Sequence, residues 1–273
     1  MNQRNYQNLG GLFKSHGGIS LRNWFKKRDF QRALVFIDFE YWFYSYKSLY
    51  HIKPDVATWY RGLKEQYAIE GIWIFGDFSS GEIGRELANL RSVTDHIIET
   101  GNTYPHRKKD MTDFVMLDYI YRSVDTHKKV GTYILFTGDG HFQSAVRYLT
   151  EEKKKKVIVY GVPNSLSRQL QAAATQTIFL PTEETLTSCY YQMVLSNMNY
   201  VADKSEIIPT FMGTVDAVSR YNAVPRGTVH STLSKMVDLG YIYQKDYRVS
   251  FERKIKIIAV NWELVIQEGL WKP

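Results

Sequence analysis

The chain has one cysteine, Cys189, in 273 residues. A lone thiol excludes an intramolecular disulfide and any Cys-rich zinc site. No apolar run is long enough to span a bilayer. Residues 1–30 lack the apolar stretch and small-residue cleavage site of a secretory signal, so a cytoplasmic protein without a membrane role is expected. No Gly-x-Gly-x-x-Gly follows the first apolar run, where Phe39-Glu40-Tyr41-Trp42 stands instead, which argues against dinucleotide binding. The Asp-x-Asp-Thr of a haloacid-dehalogenase phosphatase and the paired acids of a receiver domain are also missing.

What is present is a globular composition with a basic balance. Apolar residues make up 44%, and Lys and Arg exceed Asp and Glu by 35 to 28. That excess suits a polyanionic partner. Residues 1–30 carry scattered basic residues and two Gly-Gly pairs without a period, and read as an irregular arm.

A rhythm begins at residue 31. ALVFID (33–38), GIWIFGD (71–77), TYILFTGD (132–139), KVIVYG (156–161) and TIFL (177–180) are continuous apolar runs, with a further strand expected in 92–100. Runs without alternation suit strands buried on both faces. Helical spacing fills 41–50, 54–69, 80–90, 111–124, 141–152 and 164–174. The order predicts an α/β unit over 31–181 with a parallel sheet. From residue 182 the pattern becomes helices at 182–204, 211–222 and 228–240, a β-hairpin, and a last short segment. That order predicts a small winged helix-turn-helix domain over 182–273. Thr228, His230, Ser231 and Lys235 would be the polar face of its recognition helix, and Arg248, Arg253 and Lys254 its wing. DNA, RNA and protein contacts are all open to such a unit.

Ligands of parallel sheets bind beyond the carboxyl ends of the strands. Asp38, Asp77 and Asp139 close three of the runs, and Glu40 follows Asp38. Asp110 and Asp113 open the helix after His106-Arg107-Lys108-Lys109 and share a face; Asp118 lies further round. Gathered carboxylates repel unless a cation compensates them. Oxygen donors without Cys/His spacing point to Mg²⁺ or Mn²⁺, a chemistry suited to phosphodiester hydrolysis. Asp110 as a helix cap, Asp113 as a first-turn acid and Asp77 as a turn residue are the plain structural alternatives. The aromatic run FEYWFYSYKSLY (39–50) reads as core with a homodimer contact, or as a stacking surface for bases.

Three motifs carry a resemblance. VFIDFEYW resembles the first-strand motif of NYN domains, which belong to the PIN-like nuclease superfamily. KKDMTDFVMLDYIY is similar to the second motif, and LFTGDGHFQSAVRYLTEEKKKKVIVYGV to the third. The resemblance covers about 33–180 and points to the LabA-like group. It implies a ribonuclease using Mg²⁺ or Mn²⁺, with Asp38, Asp113 and Asp139 as catalytic metal ligands; Glu40, Asp110 and Asp77 are second-tier candidate ligands by position. Arg107, Lys108, Lys109, Tyr41, Thr137 and His141 would contact the nucleic acid, single-stranded RNA by expectation. The chain departs from the motifs at Tyr41, where an Asn is usual, at His141, where a second acid is usual, and in the five-residue spacing of Asp113 and Asp118. A catalytically weak nucleic-acid-binding regulator, or a scaffold for protein assembly, is the alternative.

Overall fold

The computed structural model describes residues 31–79, 81–101, 111–202, 204 and 206–272. The expected arm over 1–30 lies outside them. All the described residues belong to one compact unit, Gln31–Pro273.

Six strands form one sheet: β1 (Gln31–Asp38), β2 (Tyr67–Gly76), β3 (Ile97–Glu99), β4 (Thr132–Phe136), β5 (Lys156–Gly161) and β6 (Gln176–Phe179). Their spatial order is β3-β2-β1-β4-β5-β6, and every pairing is parallel. The parallel α/β architecture expected from the apolar runs is present. Strand side chains alternate between two cores. Ala33, Val35 and Ile37 face one, with Ile134, Phe136 and Ile158. Leu34 and Phe36 face the other, with Tyr133, Leu135 and Val157. Burial on both faces is why the sequence shows no polar alternation.

Helices α1 (Phe39–Tyr50), α2 (Val56–Lys64) and α3 (Leu87–Arg91) cover the first face. Helices α4 (Met111–Thr126), α5 (Gln143–Arg147) and α6 (Arg168–Ala173) cover the second. Several expected helices are shorter than their spacing suggested, among them 141–152 and 164–174, which give only α5 and α6 as α-helix. The segment 54–69 stops at Lys64, because Tyr67–Ile69 already pair with β1 as the start of β2. The segment 80–90 gives a single 3-10 turn at Gly84–Glu86 and the five-residue α3.

Beyond β6 come α7 (Glu183–Ala202), α8 (Phe211–Asn222), α9 (Arg226–Asp238), the antiparallel pair β7 (Ile242–Arg248) and β8 (Lys254–Val260), and α10 (Trp262–Gln267). They share a third core, which includes Leu195, Val215, Leu233 and Ile258. Helix α7 serves two cores. Val194 and Leu195 lie in the third, while Leu186, Cys189, Tyr190 and Met193 pack on the first face of the sheet. The Tyr190 hydroxyl donates to the Tyr50 carbonyl at 3.0 Å. Among the described residues no helix is long and apolar enough to cross a membrane.

Candidate functional site

Strand order reverses between β1 and β4: the chain leaves β1 toward β2 and β3, then returns to the other side. The loops after these two strands diverge and leave a crevice at their carboxyl ends. A cleft of about 430 Å³ lies there, and Asp38, Glu40, Asp113 and Asp139 all line it.

Asp38 is the last residue of β1 and the N-cap of α1, with no loop between. Its carboxylate accepts from the Tyr41 amide at 3.0 Å and from the Thr137 hydroxyl at 3.2 Å. Burial pushes its carboxyl up to about 7. The cap bond opposes this, and the nearby charges of Asp113 and Glu40 add to it.

Asp139 is held by the turn after β4. Its amide donates to the Thr137 hydroxyl at 3.3 Å, and its carboxylate accepts from the His141 amide at 2.9 Å. Thr137 therefore ties the ends of β1 and β4 together, and it is fully buried. Gly138 stands between them because the Tyr41 ring occupies the space a Cβ would need.

Asp113 arrives from the first turn of α4, on the opposite face from α1. Its side chain is 14% exposed, against 40% for Asp139 and 73% for His141. The His141 Nδ1 lies 3.2 Å from Asp139 and 3.5 Å from Asp113. Burial, then the Asp139 charge, raise the Asp113 carboxyl to about 6, with His141 pulling the other way. Ligand atoms of Asp113, Asp139 and His141 lie within 4.8 Å of one another. Oxygen donors with one imidazole fit a divalent ion such as Mg²⁺ or Mn²⁺. Burial is the main cause of both raised carboxyls, and neighbouring carboxylate charge adds to each.

The remaining expected residues divide between the cleft and its surroundings. Glu40 lines the cleft, but its Oε1 accepts from the Asp77 amide at 2.7 Å. Asp77 does not line the cleft. Its carboxylate turns back to the Ser79 amide and hydroxyl, the turn-residue alternative. Asp118 pairs with Arg122 on the exposed side of α4 at 2.9 Å, away from the cleft. Asp110, Arg107, Lys108 and Lys109 lie outside the described residues. Tyr41 lines the cleft, while its hydroxyl accepts from the Val162 amide at 2.8 Å and meets the Ser165 hydroxyl at 2.9 Å. Of the aromatic run, Phe39, Trp42, Phe43 and Tyr46 are core, and Trp42 stacks on Phe136 at 3.8 Å. Tyr44 remains 44% exposed at the cleft.

The cleft also contains residues that the sequence did not single out: Thr112, Ser45 and Ser165. Ser165 comes after β5, the neighbour of β4. Its place beyond a strand end was a usable signal, obscured because acids stand out at such positions and hydroxyls do not.

The comparisons with known proteins agree with this geometry. A protein of unknown function from Vibrio parahaemolyticus, known from its crystal structure, superposes with a TM-score of 0.50 at 18% identity. The match covers 57% of this chain and 96% of that one, and at this identity it speaks for the fold alone. No curated protein sequence matches. Residues 32–182, which hold the six-stranded sheet but for Gln31 and all the cleft-lining carboxylates, match the NYN domain. That is more than half of the sequence, and the chain belongs to the NYN domain family.

Proposed function

We propose that the protein is a Mg²⁺- or Mn²⁺-dependent ribonuclease that hydrolyses phosphodiester bonds of single-stranded RNA. NYN domains are generally nucleases. The observation that carries the reading is the convergence of Asp38, Asp113 and Asp139 from three separate elements on one cleft, with two of the carboxyls raised. Asp113, Asp139 and His141 would hold the ion, with Asp38 behind them. When bound, such an ion supplies charge compensation and Lewis acidity toward a phosphoryl oxygen.

The chain's own residues do the rest. Thr137 holds the Asp38 carboxylate and the Asp139 backbone, and the His141 amide orients the Asp139 carboxylate. Asp139 offers the most open carboxylate of the three, where an attacking water can be oriented. His141 is exposed with its Nδ1 3.2 Å from Asp139, where the imidazole can complete the donor set beside the two carboxylates. Residues 182–273 form, in this reading, a winged helix-turn-helix unit: α8 and α9 are its helical pair and β7–β8 its wing. It would add nucleic-acid or protein contacts.

A binding regulator without strong catalysis is the second reading. It is favoured by His141 standing where an acid is usual and by the Tyr41 hydroxyl being engaged with Val162 and Ser165. Cleavage of labelled single-stranded RNA with Mn²⁺, Mg²⁺ or EDTA separates the two. Metal-dependent cutting by wild type, lost in the Asp38→Asn/Asp139→Asn variant, is expected. Binding without cutting by either protein would select the regulator.

A further inference from the structure

We propose that single-stranded RNA entering the carboxylate cleft continues along a groove over α1 onto the α7–α8 face, and that the tail holds the substrate there. The proposal rests on the nucleic-acid reading above and deepens it. Three depressions adjoin through shared residues. The carboxylate cleft and a groove of about 730 Å³ share Tyr44 and Ser45 as lining. That groove and a third of about 950 Å³ on α7–α8 share Asn222. The three depressions thus lie in series between the sheet's carboxyl edge and the tail.

The chemistry changes along this path as a bound strand would need. Carboxylates line the first depression. Beyond it lie four cations, Lys47, Lys53, Arg85 and Arg220, against one lining carboxylate, Glu82. Lys47 pairs with Glu82 and Lys53 with Glu86. Arg85 and Arg220 have no carboxylate within salt-bridge distance among the described residues. Two guanidinium groups are therefore available for phosphates. Exposed rings stand beside them: Tyr44 at the cleft, and Tyr200 and Tyr221 on α7 and α8, the last two 62% and 89% exposed. Cations in the groove, with exposed rings at both of its ends, make a track that suits an unpaired strand whose bases stack and whose phosphates pair. A double helix would bury its bases and leave those rings unused.

The test uses the full chain carrying Asp139→Asn, so that RNA is not cut, and an oligouridylate of about twenty nucleotides, longer than one small binding site. Anisotropy titrations compare Arg85→Glu/Arg220→Glu, Tyr221→Ala, and Arg253→Glu/Lys254→Glu in the hairpin. All are exposed positions. The first pair is expected to weaken binding about tenfold or more and to flatten its salt dependence. Tyr221→Ala is expected to weaken it about fivefold, and the hairpin pair to weaken it less than the first pair does. Unchanged affinity in Arg85→Glu/Arg220→Glu, or a larger loss in the hairpin pair, overturns the track alone. No binding in the Asp139→Asn chain overturns the track and the nucleic-acid reading together. A wild-type chain that binds but does not cut, with the groove variants still weakened, refutes the nuclease and upholds the track.

Discussion

Asp38 shows how much can be asked of one residue. It ends a buried strand, caps a helix and faces other carboxylates. A carboxyl moved from its usual 3.8 to about 7 by its surroundings costs the ionised form about 4 kcal/mol as a ceiling. Linkage gives the sign. Between these values the folded chain holds a proton on Asp38 that the unfolded chain releases, so stability falls as pH rises from about 4 to 7. In buffer without divalent ion, wild type is expected to melt at a lower temperature at pH 8 than at pH 5. Asp38→Asn keeps the cap, since an amide oxygen also accepts from the Tyr41 amide, and removes the charge. Its melting temperature at pH 8 should equal or exceed that of wild type, and added Mn²⁺ should raise it less. Thermal melts of both proteins with EDTA and with Mn²⁺ check this; a variant that melts well below wild type at pH 8 in EDTA would refute it.

Among the elements, α1 is the one that ties the site together. It starts from the carboxylate at its N-cap, buries Phe39, Trp42, Phe43 and Tyr46 on the sheet, and reaches across to the loop after β5 through Tyr41. That hydroxyl satisfies the Val162 amide, which becomes an unpaired donor in Tyr41→Phe. Leaving a part-buried donor without a partner costs about 1–3 kcal/mol. Denaturant melts of Tyr41→Phe are expected to show a loss in that range, whereas Tyr44→Phe, at an exposed hydroxyl, should be near neutral. The motif comparison marks position 41 as a departure; packing gives the tyrosine its own purpose, filling the space above Gly138. The same layer of contact explains the misplaced helix boundary at 64. Spacing alone allowed a helix through residue 69, but pairing with β1 claimed Tyr67 for the sheet.

For the molecule as a whole, α7 makes the sheet unit and the tail depend on each other. Leu186, Cys189, Tyr190 and Met193 cover apolar surface of the first core. A chain ending at residue 181 would return that surface to water. Each apolar side chain removed from a covered face forfeits about 1.5–3 kcal/mol when fully buried, and less here because the four are partly buried. The truncated chain is expected to melt at a lower temperature than the full chain and to bind more of a hydrophobic-surface dye. Equal melting temperatures would show that α7 adds nothing to the sheet unit. The groove over α1 makes the same point, since its lining includes Asn222 and Ala223 of the tail.

Local pattern was enough to give the parallel α/β class and the strand-ending acids Asp38, Asp77 and Asp139, and the motif resemblance set Asp113 beside Asp38 and Asp139. Strands buried on both faces must be continuously apolar, and a charged residue that ends one stands out against that background. Motif order carried the NYN resemblance for the same reason: the acids sit at fixed places relative to strands. Which carboxylates share a cleft was settled only by packing. Asp77 ends a strand as Asp38 does, yet β2 lies to one side of the switch point and its Asp folds into a turn. Asp118 is close to Asp113 in sequence, but the helix turns it toward Arg122. Sequence spacing gives the face of an element, whereas convergence between elements depends on strand order and on how each helix is rotated against the sheet. The pairing of Thr137 with Asp38, the use of Tyr41 and the double role of α7 are all long-range contacts, and no local pattern encodes them.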